Sequence, residues 1–115
     1  MNEADCLFCK MVRGEIPVER LIDDALVFAI RDISPRAPVH VLLIPKEHLP
    51  SAKALTPQHG PLLGALFDRA NEAAQIEGVF EEGFRLAFNV GDAAGMTVHH
   101  LHLHLLGGRK LGPEG

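Results

Sequence analysis

The chain has 115 residues, 47% of them hydrophobic and 23% charged, which suffices for one core without disulfide stapling. A net charge of −4 argues against a nucleic-acid backbone binder, which would normally carry a basic patch, although a small phosphate held by backbone N–H groups stays open. No apolar run approaches the ~20 residues of a membrane span, so neither nucleic acid nor membrane is an expected partner.

In chain order, Met1-Asn2-Glu3-Ala4-Asp5 is acidic, unlike a secretory leader, and points to a cytoplasmic protein. Residues 5–14 predict a short helix. Asp5 caps it, Leu7, Phe8, Met11 and Val12 form its apolar stripe, and Gly14 stops it. Cys6 and Cys9, at i and i+3, share a face. Arg20-Leu21-Ile22, an Asp23-Asp24 turn and Leu26 to Ile30 predict a hairpin. Asp32 to Pro38 is a loop punctuated by two prolines, and Val39 to Ile44 a β-branched strand ended by Pro45.

Thr56-Pro57 offers a cap and first turn for a long helix, whose regular part can start only at Gly60-Pro61. Leu62, Leu63, Leu66, Phe67, Ala70, Ala73 and Ala74 keep its period, and Gly78 terminates it. Phe84 to Val90 alternates as a strand, and the glycine-bearing turn Gly91 to Thr97 leads into His99 to Leu105. The sum is an α+β fold. An antiparallel sheet of five strands carries one long and one short helix in a single domain, residues 1–115, with its core at about 6–110.

Four of the seven histidines fall in 99–104. Read as a strand, His100, His102 and His104 share one face and Leu101, Leu103 and Leu105 the other. Same-face neighbours lie about 6.8 Å apart, so one anion can touch two rings. Three readings follow: a structural cluster, a metal site built on H-x-H, or phosphoryl transfer with an unprotonated imidazole as nucleophile. Gly91, Gly95 and Thr97 offer backbone N–H groups and a hydroxyl beside the strand. Residue types alone do not separate metal from phosphate. The single C-x-x-C is too sparse for a disulfide scaffold and lacks a thioredoxin context. As a metal pair it needs two further ligands. His48 and His100 are available, at gaps wider than any finger spacing.

His100-Leu101-His102-Leu103-His104-Leu105-Leu106 matches the signature His-φ-His-φ-His-φ-φ, with φ apolar, in every position. With residues 38–48 and 95–109, the chain resembles the histidine triad family. Asp32-Ile33-Ser34-Pro35, Ala37-Pro38 and the Leu-Gly-Gly-Arg ending at Arg109 are similar to its Hint branch. The resemblance covers about residues 6–110. It implies a hydrolase of purine nucleoside phosphoramidates, acting on AMP, GMP or their conjugates through a nucleotidyl-histidine intermediate and without a catalytic metal. A dinucleoside polyphosphate hydrolase and a nucleotide-binding regulatory protein are the alternatives; the Ile-Ser-Pro-x-Ala-Pro loop and Gly-Gly-Arg ending favour the Hint branch.

By position, the resemblance implies His102 as nucleophile, His104 at the phosphate, and His40 behind the triad. Asp32 would hold the ribose hydroxyls. Ile33, Ile30, Leu7, Phe8 and Met11 would line a purine slot, and Asn89, Gly95 and Thr97 would hold the phosphate and leaving group. Taken alone, the apolar five read as core, Asp32 as a turn-starting carboxylate and Asn89 as a strand-end residue. The resemblance also implies a closed structural zinc site of Cys6, Cys9, His48 and His100, and a homodimer joined through the long helix and a neighbouring strand. His99 receives no role and His59 reads as a surface residue. The ending Gly112-Pro113-Glu114-Gly115 departs from the branch, with no tryptophan in the chain. In relatives that segment reaches the partner's active site, so the leaving-group preference stays open.

Overall fold

The structure is a computed structural model that describes residues 3–115. Five alternating segments form its strands: β1 (Ile22–Asp23), β2 (Val27–Arg31), β3 (Val39–Pro45), β4 (Phe84–Ala87) and β5 (Leu103–Gly107). They pair in the order β1-β2-β3-β5-β4, every pair antiparallel. The short helix α1 is Leu7–Val12 and the long helix α2 is Gly60–Ile76. The expected α+β architecture is present.

Strand alternation gives the sheet two buried faces. Ile22, Val27, Ala29, Val41, Leu43, Leu103 and Leu105 pack with Leu62, Leu66, Ala70, Ala73 and Ala74 of α2. Phe28, Ile30, Leu42 and Ile44 face the other way, against Cys6, Phe8, Cys9 and Met11. On this second face the register aligns Ile30 with Leu42, Leu42 with His104, and His104 with Ala87. One row across four strands thus carries an apolar floor directly into a histidine.

Several element ends differ from expectation. The first helix is shorter than 5–14, because a separate 3-10 turn takes Glu3–Asp5. Its cap is Cys6 rather than Asp5: Cys6 Sγ accepts the Cys9 N–H at 3.3 Å. In the hairpin turn, Asp24 Oδ1 accepts N–H bonds from Leu26 and Val27 at 2.9 Å each. The long helix starts at Gly60, after a 3-10 turn at Pro57–His59. His59 has a local task there, since its Nδ1 accepts the Thr56 N–H at 2.9 Å.

The histidine segment is the largest revision. Only His104 lies in β5; His99, His100 and His102 precede it. The His100 N–H turns back to the Val98 carbonyl at 3.0 Å, and the Leu101 N–H goes to the Leu49 carbonyl at 2.6 Å. These bonds to loops replace the ladder. β4 stops at Ala87, short of the expected Val90, where its last rung meets His104. The alternation survives: Leu101 and Leu103 stay in the α2-side core.

Candidate active site

A cleft of about 410 Å³ opens beside the Ile30–Leu42–His104 row. One wall is α1, through Leu7, Phe8 and Met11, with Ile30 of β2 beneath. The loop after β2 contributes Asp32 and Ile33, and the segment between β4 and β5 contributes Asn89, Gly95 and Thr97. His102 and His104 close the far end. Phe8, Met11 and Ile30 are core residues that also present a surface to the cleft, whereas Ile33 is 98% exposed at its rim. His40 does not line it. It is buried, with its Nε2 2.9 Å from His104 Nδ1.

Leu42, Arg36, Met96 and Val98 line the cleft without having been foreseen. Leu42 was within reach of the pattern, because it stands two residues from His40 on the same strand and so on the same face. Arg36, Met96 and Val98 sit in irregular segments with no periodicity to read.

Hydrogen bonds fix the imidazole tautomers. His102 Nδ1–H donates to the His100 carbonyl at 2.7 Å, so Nε2 carries the lone pair. His40 Nδ1 accepts the Arg36 N–H at 3.1 Å, so its proton is on Nε2. That Nε2–H donates to His104 Nδ1 at 2.9 Å. The His104 proton is therefore on Nε2, 3.4 Å from the Asn89 amide nitrogen. The outcome is an imidazole lone pair on His102 beside converging N–H donors on His104 and Asn89. Such an arrangement can attack an electrophilic phosphorus and bind its oxygens. Asp32 Oδ1 accepts the Ser34 N–H at 2.8 Å, and Oδ2 lies 3.5 Å from His40 Nε2. It starts a turn and borders the cleft at once.

Burial keeps these rings neutral. It pushes His104 down to about 4, helped by His102, His40 and Arg36 nearby. Burial also lowers His40 and His102, with the Asp32 carboxylate working in the opposite direction on both. The free site thus offers neutral N–H donors at neutral pH.

Cys6, Cys9, His48 and His100 bring their ligand atoms within 4.8 Å of one another, a group that could hold a metal. Cys6 Sγ is 3.2 Å from His100 Nδ1, Cys9 Sγ is 3.2 Å from His48 Nδ1, and the two Nδ1 atoms are 3.1 Å apart. His100 Nε2–H donates to the Pro45 carbonyl at 2.8 Å, which leaves Nδ1 free as a ligand. Burial, then Cys6 alongside, pushes the Cys9 thiol up to about 12, and burial pushes His100 down to about 4. Two thiol sulfurs and two imidazole nitrogens, brought together from α1, the loop after β3 and the segment before β5, make a donor set suited to a tetrahedral cation. Asp32, His40 and His104 also cluster within 4.8 Å, but the facing His40 and His104 nitrogens are spent on each other.

The HIT domain family matches residues 13–111 of the chain. The chain is 43% identical over 109 residues to the purine nucleoside phosphoramidase of Escherichia coli K12, covering 95% of this chain and 92% of that protein. Among solved structures it is similar to a HIT family hydrolase from Legionella pneumophila Philadelphia 1, with TM-score 0.93, 46% identity, and 96% and 100% of the two chains covered. A HIT family hydrolase from Clostridium thermocellum gives TM-score 0.91 and 47% identity, with 95% of each chain covered.

Proposed function

The chain belongs to the HIT domain family, and on that premise we propose that it hydrolyses purine nucleoside phosphoramidates of the AMP-amine type. The observation that carries the reading is the His102 tautomer. Its Nδ1–H is tied to the His100 carbonyl, so Nε2 presents a lone pair. The purine and ribose occupy the cleft between α1 and the loop at Asp32. The phosphate oxygens meet His104 Nε2–H, Asn89 and the backbone near Gly95 and Thr97.

In the first step a bond forms between His102 Nε2 and phosphorus while the phosphorus–nitrogen bond breaks. The departing amine takes a proton supplied through His104 or solvent. Water then attacks the phosphorus and gives its proton back to His104 or solvent, the phosphorus–nitrogen bond to His102 breaks with the electron pair returning to Nε2, and the nucleoside monophosphate leaves. His40 holds the His104 proton on Nε2 and so is a positioning residue. Side-by-side hydrolysis of an AMP-amine conjugate and diadenosine triphosphate tests this. Faster cleavage of the amide is expected; faster cleavage of the dinucleotide would favour the polyphosphate hydrolase instead.

We propose further that Cys6, Cys9, His48 and His100 hold zinc. A tetrahedral site has ligand–ligand edges of about 3.3–3.8 Å, close to the separations seen here. Bound there, zinc with four protein ligands would be structural, clipping α1 to the segment before β5. A homodimer through α2 and a neighbouring strand is supported by exposed Phe67 and Ile76 of α2 and Phe80 just beyond it, with Phe67 packing edge-on against Phe88, the residue after β4, at 6.4 Å. Two free cysteines fit a reducing compartment such as the cytoplasm.

A further inference from the structure

Towards β4 from His104 lies a second cavity of about 430 Å³. Three arginines line it: Arg36 from the loop after β2, Arg85 from β4, and Arg109 just beyond β5. Arg36, Asn89 and His104 border both this cavity and the nucleoside cleft, so the two spaces meet at the His104 ring.

Two of the three guanidinium groups are held by main-chain carbonyls. Arg85 donates to Gly112 at 2.8 Å, and Arg109 donates to Arg36 and to Lys110 at 3.1 Å each. Arg36 Nη2 lies 3.4 Å from His104 Nδ1. Arginines elsewhere are paired with acids: Arg13 with Glu15, Arg20 with Asp23, Arg31 with Glu77, and Arg69 with Asp24 and Glu72. Among the described residues, the arginines without such an ion pair are the three around this cavity. Glu114 on its lining makes no ion pair with them. Three guanidinium groups against the single carboxylate of Glu114 leave the lining with an excess of positive charge, in a chain of net charge −4. Guanidinium forks match carboxylate and phosphate oxygens, and main-chain anchoring holds them ready at reduced entropic cost.

We propose that this cavity receives the leaving group and selects amines that carry a carboxylate or a phosphate. The inference rests on the phosphoramidase reading. With the nucleoside in the cleft and phosphorus at His102 and His104, the arginine-lined cavity is free volume contiguous with the reacting end, bordered by Arg36, Asn89 and His104. The reaction is unchanged: the phosphorus–nitrogen bond breaks and the amine departs with its proton. The arginines act on the charged end of that amine, away from the reacting atoms.

The test uses three AMP conjugates of matched length, made with propylamine, β-alanine and phosphoethanolamine. The readout is kcat/KM relative to the propylamine conjugate. For the full-length protein the anionic conjugates are expected to be preferred about tenfold or more, the scale of one charge-assisted hydrogen bond. The larger of the two ratios identifies carboxylate or phosphate as the natural group. The double variant Arg85→Gln/Arg109→Gln should bring the ratio close to one, while Arg85→Lys, which keeps the charge, should retain most of it. A ratio near one in the unaltered protein, or one unmoved by the double variant, would overturn the inference while leaving the phosphoramidase reading intact. Failure to cleave any of the three conjugates would overturn both.

Discussion

The carbonyl oxygen of His100 accepts the Nδ1–H of His102 at 2.7 Å, while the ring of the same His100 faces Cys6 at 3.2 Å. One residue therefore joins the thiol–imidazole cluster to the tautomer of the proposed nucleophile. α1 makes a second link. Phe8, between the two cysteines in sequence, packs edge-on against both rings, with centroids 5.6 Å from His100 and 5.2 Å from His102.

Protein purified without chelator is expected to hold about one zinc per chain, counted by elemental analysis. Cys6→Ser/Cys9→Ser should lose it. Loss of a structural metal removes at least a few kcal/mol, so the melting temperature should fall by about 10 °C or more. Because α1 forms a wall of the cleft, calorimetry should also show weaker AMP binding. Metal-free protein with unaltered melting temperature and AMP affinity would remove the clip from the account.

His40 is 4% exposed and touches no part of the cleft, yet it sets where the His104 proton resides. His40→Ala frees His104 to carry its proton on Nδ1, turned away from the substrate. The expected result is a fall in kcat of about ten- to a hundredfold, with AMP affinity within a few-fold of the original. Loss confined to affinity would mean that His40 only fills space.

Acid should destabilise the fold through the same rings. Burial holds His104 at about 4 and lowers His40, so between pH 6.5 and about 4 the unfolded chain binds more protons than the folded one. Stability is then complete above about pH 6.5, declines as pH falls through that window, and levels off below it. Urea midpoints at pH 7.5, 6, 5 and 4 should show the decline, and His104→Asn should make it shallower. An identical slope in the variant would assign the acid sensitivity to other groups.

The strand alternation of His100, His102 and His104 against Leu101, Leu103 and Leu105 was readable because sidedness depends only on spacing. Where the strand begins was not, because the Leu101 N–H finds the Leu49 carbonyl, a partner 52 residues away that no local pattern announces. The His40–His104 contact spans 64 positions and followed only from the resemblance. Cys6 displaced Asp5 as the helix cap because the cysteine pair is drawn inward toward His48 and His100, a tertiary preference stronger than capping propensity. Arg36 was passed over as a loop residue. Its significance appears only when Arg85 and Arg109 arrive beside it from elsewhere in the chain.

The central claim is that His102 Nε2 attacks phosphorus, and His102→Ala tests it most directly. With an AMP-amine conjugate followed by amine release, and AMP binding followed by calorimetry on the same sample, the variant should lose hydrolysis by about a thousandfold or more while still binding AMP. A His102→Ala protein that binds AMP and still cleaves the conjugate at a comparable rate would contradict it.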